Sequence, residues 1–303
     1  MSAPHRLFNR HLHRQRLDRA APVFSQADFL KARAASDMVE RLEVILRDFP
    51  ICVDLGSRRG VFLSVLAQSD AVSRIGTVIE TDLSAKMLAD RPGLRLQLDE
   101  EALPFTPASL DLVVSSLALH WVNDLPGTLI QIRRSLKPDG LFLGAIFGGQ
   151  TLTELRQCLL QAESDLTGGA GLRVALFADT FDVAGLLQRA GFALPVADLD
   201  RVTVRYDHPL KLIADLRLMG ETNALAEAGG RPLSRAVLAR AMALYQERFS
   251  DPDGRVRATF DIITLTGWAP HASQQQPLKP GSAKMRLADA LGTQEISAGE
   301  KPA

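Results

Sequence analysis

Apolar residues recur at helical spacing over residues 25–49, where Leu30, Ala34, Met38, Leu42, Ile45 and Phe49 form one stripe. Ser25 and Asp28 offer capping side chains at its start, and Pro50 ends it. The period then changes. Ile51-Cys52-Val53-Asp54-Leu55 is a short, nearly continuous apolar run, the pattern of a strand buried on both faces. Helix and strand alternate from there. The pattern predicts helices over 61–68, 84–89 and 125–136, and strands over 75–79, 94–98, 110–115 and 141–147. Lys137-Pro138-Asp139-Gly140 is expected to stop the helix that precedes the last of these strands. Short β-rich runs separated by helices imply parallel βαβ units.

After Gly149 the pattern changes. Helices are predicted over 152–163, 182–190, 209–219 and 234–249, strand-like stretches over 192–206, and a late, antiparallel strand over 259–265. The expected fold class is α/β: a doubly wound, mostly parallel seven-stranded sheet with a C-terminal helical lid insertion. Residues 1–49 read as a helical arm, 50–148 as the core, 149–270 as the rest of the same domain, and 271–303 as an exposed tail. The arm begins with Arg6, Arg10, Arg14, Arg16 and Arg19, an arginine-rich start shared with transit peptides. Leu7, Phe8, Leu12 and Leu17 are interleaved with them and Asp18 belongs to the run, which favours an arm of the folded protein.

Charge and cysteine content narrow the function classes. Lysine plus arginine and aspartate plus glutamate both number 35, so the basic excess expected of a nucleic-acid binder is missing. Cys52 and Cys158 match no zinc or redox spacing and read as buried thiols of a reducing cytoplasm. No apolar run approaches the length of a membrane span.

Distinctive residues gather at the predicted strand ends, where ligands of open α/β sheets bind. Asp54 and Gly56 close the first strand; Gly56 and Gly60 allow a close backbone approach, and the helix that follows offers N–H groups to a carboxylate. Asp82 follows the second strand, where an acid can accept from ribose hydroxyls, with Glu80 competing for that role. Asp99 follows the third and can accept from an adenine amino group, with Leu103 and Phe105 as apolar neighbours. Arg58 stands in the turn where a glycine-rich loop would carry another glycine. Its side chain can point to solvent, fill part of the pocket, or contact a ligand carboxylate.

Val53–Gly60, Asp82-Leu83-Ser84 before Met87-Leu88, Ala102-Leu103-Pro104-Phe105 and Leu136–Gly140 resemble the successive motifs of the class I S-adenosylmethionine (SAM)-dependent methyltransferases. This resemblance spans roughly residues 50–148. It implies SAM as cofactor and maps its binding residues to Asp54, Gly56, Gly60, Asp82 and Asp99. Ser115–Pro126, Phe147–Arg156 and Leu265–His271 are similar to a narrower group: the methyltransferase-like complex I assembly factor (arginine hydroxylase) family and its alphaproteobacterial relatives. That similarity implies a protein substrate, an arginine of the quinone-module iron–sulfur subunit. With no signal or membrane span read in the sequence, the expected location is the cytoplasm, with peripheral contact at the inner membrane through that subunit. The residues themselves reveal no oxidant, since the six histidines include no His-x-Asp/Glu pair. Two alternatives stay open: a methyltransferase of a small molecule or of a carboxylate on an acyl carrier (biotin-synthesis type), and a non-catalytic assembly chaperone with a degenerate SAM pocket.

His120 and Trp121, after the fourth strand, are the candidate catalytic residues, His120 as a base and Trp121 as a surface for a guanidinium. Glu154 could pair with a substrate arginine, but it and Arg156 read first as a solvated helix face. Glu221 and Asn223 either project from a lid or cap a helix, and Trp268 and His271 read as structural.

Overall fold

A computed structural model describes residues 6–226, 232–275, 282, 285–294 and 299. Residues 1–5 of the expected arm and residues 276–281, 283–284, 295–298 and 300–303 of the expected tail lie outside them. One unit runs to Pro270 and a second begins at His271. In the second, the single-turn helix Leu287–Leu291 ends at Gly292.

Seven strands form one sheet in the spatial order β3-β2-β1-β4-β5-β7-β6. They are β1 Phe49–Leu55, β2 Ile75–Asp82, β3 Leu94–Gln97, β4 Leu110–Ser116, β5 Leu136–Phe147, β6 Ala193–Tyr206 and β7 Val256–Trp268. The first five pair in parallel, and β7 runs antiparallel to both β5 and β6. The doubly wound, mostly parallel seven-stranded sheet is thus present, with the late strand antiparallel as the pattern implied.

Alternate residues of the central strands feed two cores. Cys52, Leu112, Leu141 and Leu143 pack with the helices α2 (Phe29–Glu43), α3 (Val61–Leu66), α5 (Thr153–Thr167), α7 (Pro209–Leu218) and α8 (Arg235–Phe249). Val53, Leu55, Val113 and Phe142 pack on the other face with α4 (Leu125–Ser135) and α6 (Thr180–Arg189). Both cysteines are buried free thiols. The strand order reverses between β1 and β4, so a crevice opens at their carboxyl ends. Helix α1 (Arg10–Ala20) reaches that end of the sheet.

Several local expectations need correction. The first stripe ends at Glu43, and Phe49 instead opens β1. Proline at 50 disfavours helical backbone at the residue before it, so Phe49 is extended. Asp28 occupies the N-cap position without a side-chain capping bond. Residues 84–89 form turns rather than a helix: Asp82 Oδ1 accepts from the Ser84 N–H, and Ser84 Oγ accepts from the Met87 N–H. Lys137-Pro138-Asp139-Gly140 lies inside β5, which starts directly after α4, and the pairing register shifts there.

Candidate functional site

The site is built outward from the end of β1. Asp54 is fully buried, and neither carboxyl oxygen has a hydrogen-bond partner. Burial pushes its pKa up to about 7, against the pull of Lys31. Lys31 projects from α2 into the same interior, donating to the Gly56 carbonyl at 2.8 Å and to the Ser116 carbonyl. Burial lowers its pKa to about 8, with Asp54 opposing. Gly56 and Gly60 have φ of +70° and +71°, and a Cβ on Gly56 would run into Ala118. The chain turns here with little room to spare.

Arg58 shares this turn and faces inward. Its side chain is 2% exposed and that of Asp82 fully buried; Nη1 donates to Asp82 Oδ2 at 2.7 Å. The Arg58 backbone N–H reaches the same oxygen at 3.1 Å, and the Ser84 N–H takes Oδ1 at 2.8 Å. Burial works against the Arg58 charge, but Asp82, Glu100 and Glu221 outweigh it and hold the guanidinium protonated. Of the three directions open to Arg58 from sequence, the structure selects the pocket interior. The neighbouring Glu80 pairs with Arg91 at 3.0 Å and leaves Oε2 buried and unpartnered.

Helix α1 covers the adjacent strand ends. Arg10 Nη2 donates to Asp99 Oδ1 at 2.7 Å and to buried Glu100. Asp18 accepts from Ser84 Oγ at 2.5 Å. His13, fully buried, stacks on Trp121 with centroids 4.9 Å apart. Burial, then Arg58 and Arg10, holds His13 well below the usual histidine pKa, so it is neutral. The Trp121 face that could carry a guanidinium is therefore covered by His13, and Phe8 meets the ring edge-on.

His120 and Trp121 converge on Glu221, just past α7. His120 Nε2 lies 3.0 Å from Glu221 Oε2, and Trp121 Nε1 donates to the same oxygen at 2.6 Å. Both contacts fall on Oε2, and Oε1 makes no hydrogen bond among the described residues. Burial alone would raise the Glu221 pKa; His120, Arg58 and Trp121 outweigh it and hold the carboxylate ionised. Glu221 also lines two cavities. The inner one, about 20 Å³, includes Lys31, Arg58 and Leu117; the outer groove, about 580 Å³, runs between α1, α5 and α7.

A methyltransferase-domain family matches residues 53–144. The zebrafish (Danio rerio) protein named arginine-hydroxylase NDUFAF5, mitochondrial, is 39% identical over 93% of this chain and 89% of its own length. The chain belongs to the NDUFAF5 family of the class I methyltransferase superfamily. A malonyl-[acyl-carrier protein] O-methyltransferase of Laribacter hongkongensis is a more distant relative, 34% identical over 88% of this chain and 92% of that protein. The YcgJ protein of Bacillus subtilis shares the fold, with a TM-score of 0.53 over 79% of this chain and 99% of that one at 14% identity.

Within this NDUFAF5-family chain, the acidic strand ends offer acceptor oxygens of the kind a nucleoside cofactor with an ammonium group would need. Asp54 is an orphaned buried carboxyl, the Gly56–Gly60 turn leaves space only for backbone, and Asp99 keeps Oδ2 without a hydrogen bond. Asp82 accepts three bonds of the roughly four that a carboxylate can take. Leu103 is half-buried against the second core, its N–H held by Gln131 at 3.0 Å.

Other candidates turn out to be structural. Glu154 is buried rather than solvated, accepting from the Thr259 N–H and hydroxyl of β7. Arg156 donates to the Thr151 carbonyl. Asn223 accepts from the Leu225 N–H and donates to the Leu172 carbonyl. Trp268 packs on the first core, and His271 bonds Ser273 within its own unit. Lys31, Arg10, His13 and Glu100 escaped sequence reasoning. A lysine beside Leu30 on an otherwise apolar stripe is the one signal that could have exposed Lys31.

Proposed function

We propose that this chain modifies an arginine side chain of a partner protein, using SAM or a close relative held across the acidic strand ends. The observation that carries this reading is Glu221. Its carboxylate is held ionised in the wall between the two cavities, with Oε1 left for an incoming guanidinium. A planar guanidinium is the cation best matched to a carboxylate in a water-poor wall. His120 and Trp121 fix that carboxylate through Oε2, and His120 Nε2 is placed to exchange a proton with it.

On the cofactor side, Asp54 would take the ammonium, Asp82 a ribose hydroxyl and Asp99 the adenine amino group. Gly56 and Gly60 would give backbone access, and Leu103 apolar surface. SAM, when bound, supplies a methyl group on an electrophilic sulfonium. The name of the zebrafish relative favours hydroxylation over methylation as the outcome on arginine, a two-electron oxidation in which dioxygen would supply the oxygen atom and an external two-electron donor would reduce its second oxygen to water. The partner in this proposal is the quinone-module iron–sulfur subunit of complex I, met by the protein in the cytoplasm at the inner membrane surface. The second reading, methyl transfer to a carboxylate on an acyl carrier, is supported by the Laribacter relative.

The test is mass spectrometry of that subunit from cells carrying the wild-type chain, no chain, or Glu221→Gln. The proposal expects an arginine heavier by one oxygen in the wild type only, with the variant present at normal level. An arginine unmodified in all three strains would overturn it. A methyl increment would assign methyl transfer instead.

A further inference from the structure

The outer groove carries a charge pattern that the arginine reading does not use. Its floor is the Glu221 carboxylate, and its walls are apolar, with Leu155, Leu159, Ile213 and Leu216 among them. Arg16, Arg19, Arg173 and Arg217 also line it, against that one carboxylate. Arg173 is committed to Glu163, and Arg16 donates to the carbonyls of Thr222 and Asn223. Arg19 and Arg217 are exposed, and their side chains make no hydrogen bond or ion pair among the described residues. Burial and the neighbouring Arg19 lower the Arg16 pKa, so the rim is crowded with like charge.

Two signs in one groove restrict what fits. A plain anion, such as the carboxylate head of an acyl chain, is attracted by the rim and repelled by the floor. A plain cationic peptide meets the reverse. A ligand satisfies both when it places one cation at the floor and anions on either side of it. Only a segment of chain with alternating charge does so while also offering apolar surface to the leucine walls.

Resting on the proposal that Glu221 receives an arginine, we propose that the groove selects an arginine flanked by aspartate or glutamate. Arg19 and Arg217 are then the residues that determine specificity. They meet the flanking carboxylates, while Glu221 meets the guanidinium. Rim charges of this kind act through electrostatic complementarity and are screened by salt.

The experiment measures binding of labelled peptides to the full chain by fluorescence anisotropy. The peptides carry a central arginine flanked by acids or by serines, or a central citrulline flanked by acids. The expected result is binding of the acid-flanked arginine peptide on the order of ten-fold tighter than the serine-flanked one, with the advantage shrinking as salt rises. Arg19→Glu/Arg217→Glu, both at exposed positions, should abolish that advantage and keep the preference for arginine over citrulline. Equal binding of acid- and serine-flanked peptides, or a flank preference unchanged in the double variant, would overturn the inference and leave the arginine reading standing. No preference for arginine over citrulline would overturn the arginine reading itself. Anionic vesicles that bind the wild type but not the double variant, with peptides indifferent to their flanks, would assign the rim to a lipid surface and also sink the inference.

Discussion

Asp82→Asn is the most informative single perturbation of the closed turn. It keeps the shape of the side chain and removes the charge that faces Arg58. The pair is 2.7 Å apart, with the two side chains 2% and 0% exposed. At about 4 Å between charge centres and an effective dielectric of about 20, the attraction is about 4 kcal/mol. Removing one partner of a buried pair typically costs about 3–5 kcal/mol, because the other charge is left uncompensated. Glu100 and Glu221 also favour the Arg58 charge, which places the expected cost near the lower end of that range. With a urea slope of about 3 kcal/mol/M, a loss of about 3 kcal/mol lowers the unfolding midpoint by about 1 M. Circular dichroism in urea reads this directly. Arg58→Met should destabilise as well, and the double variant should cost less than the two singles added, because the pair is lost only once. A loss under about 1 kcal/mol, with additive singles, would mean that Arg58 does not hold Asp82 in solution, and the closed turn would be wrong.

Arg10→Ala removes the guanidinium from Asp99 and Glu100, leaving Asp99 Oδ1 only the Glu101 N–H, so SAM affinity measured by calorimetry should rise on the order of ten-fold if the arm competes with the cofactor; an unchanged or weaker affinity would refute the competition. Gly56→Ala places a Cβ at φ +70° against Ala118, and the left-handed backbone alone costs about 1–2 kcal/mol, so the thermal midpoint should fall by several degrees; an unshifted midpoint would contradict the turn. Asp54 has a folded pKa of about 7 against an ordinary value of 3.8. Its contribution is fully present below the unfolded pKa and is lost as pH rises toward 7, where the folded carboxyl must ionise while buried. Asp54→Asn should therefore gain stability relative to the wild type as pH rises from 4 to 7, by up to about 4 kcal/mol. Parallel pH profiles for the two proteins would show that the carboxyl is not sealed from water.

The frame of the fold was legible because its signals are local. Continuous apolar runs such as Ile51–Leu55 and Leu110–Ser115 specify strands buried on both faces, and the acids Asp54 and Asp82 fall at the carboxyl ends of β1 and β2. Boundaries failed where a side chain or a proline overrode the pattern. Phe49 belongs by spacing to a helix, but Pro50 holds it extended. Residues 84–89 have helical composition, but Asp82 and Ser84 capture the N–H groups around the turn.

The site was legible as a set of residue types and not as a set of pairings. Glu154 is one of several acids on a helix, and only the register of β7, more than a hundred residues later, turns Thr259 toward it and makes it internal. Glu221 had two readings, lid or cap, because its partners His120 and Trp121 come from about a hundred residues earlier in the chain. Arg58 shows the limit most clearly. As a missing glycine it suggested loss of the pocket, because the loop needs close backbone approach and an arginine adds bulk. Yet it sits at φ +43° and closes a contact to the acid at the end of the next strand, while Gly56 and Gly60 keep the left-handed turn on either side. A decayed loop has no need for a buried counter-ion, and a buried arginine without one would be expelled or would unfold the turn. The pairing of Arg58 with Asp82 therefore argues for a remodelled pocket: one in which an internal guanidinium stands beside the acid that a ribose would otherwise have to itself.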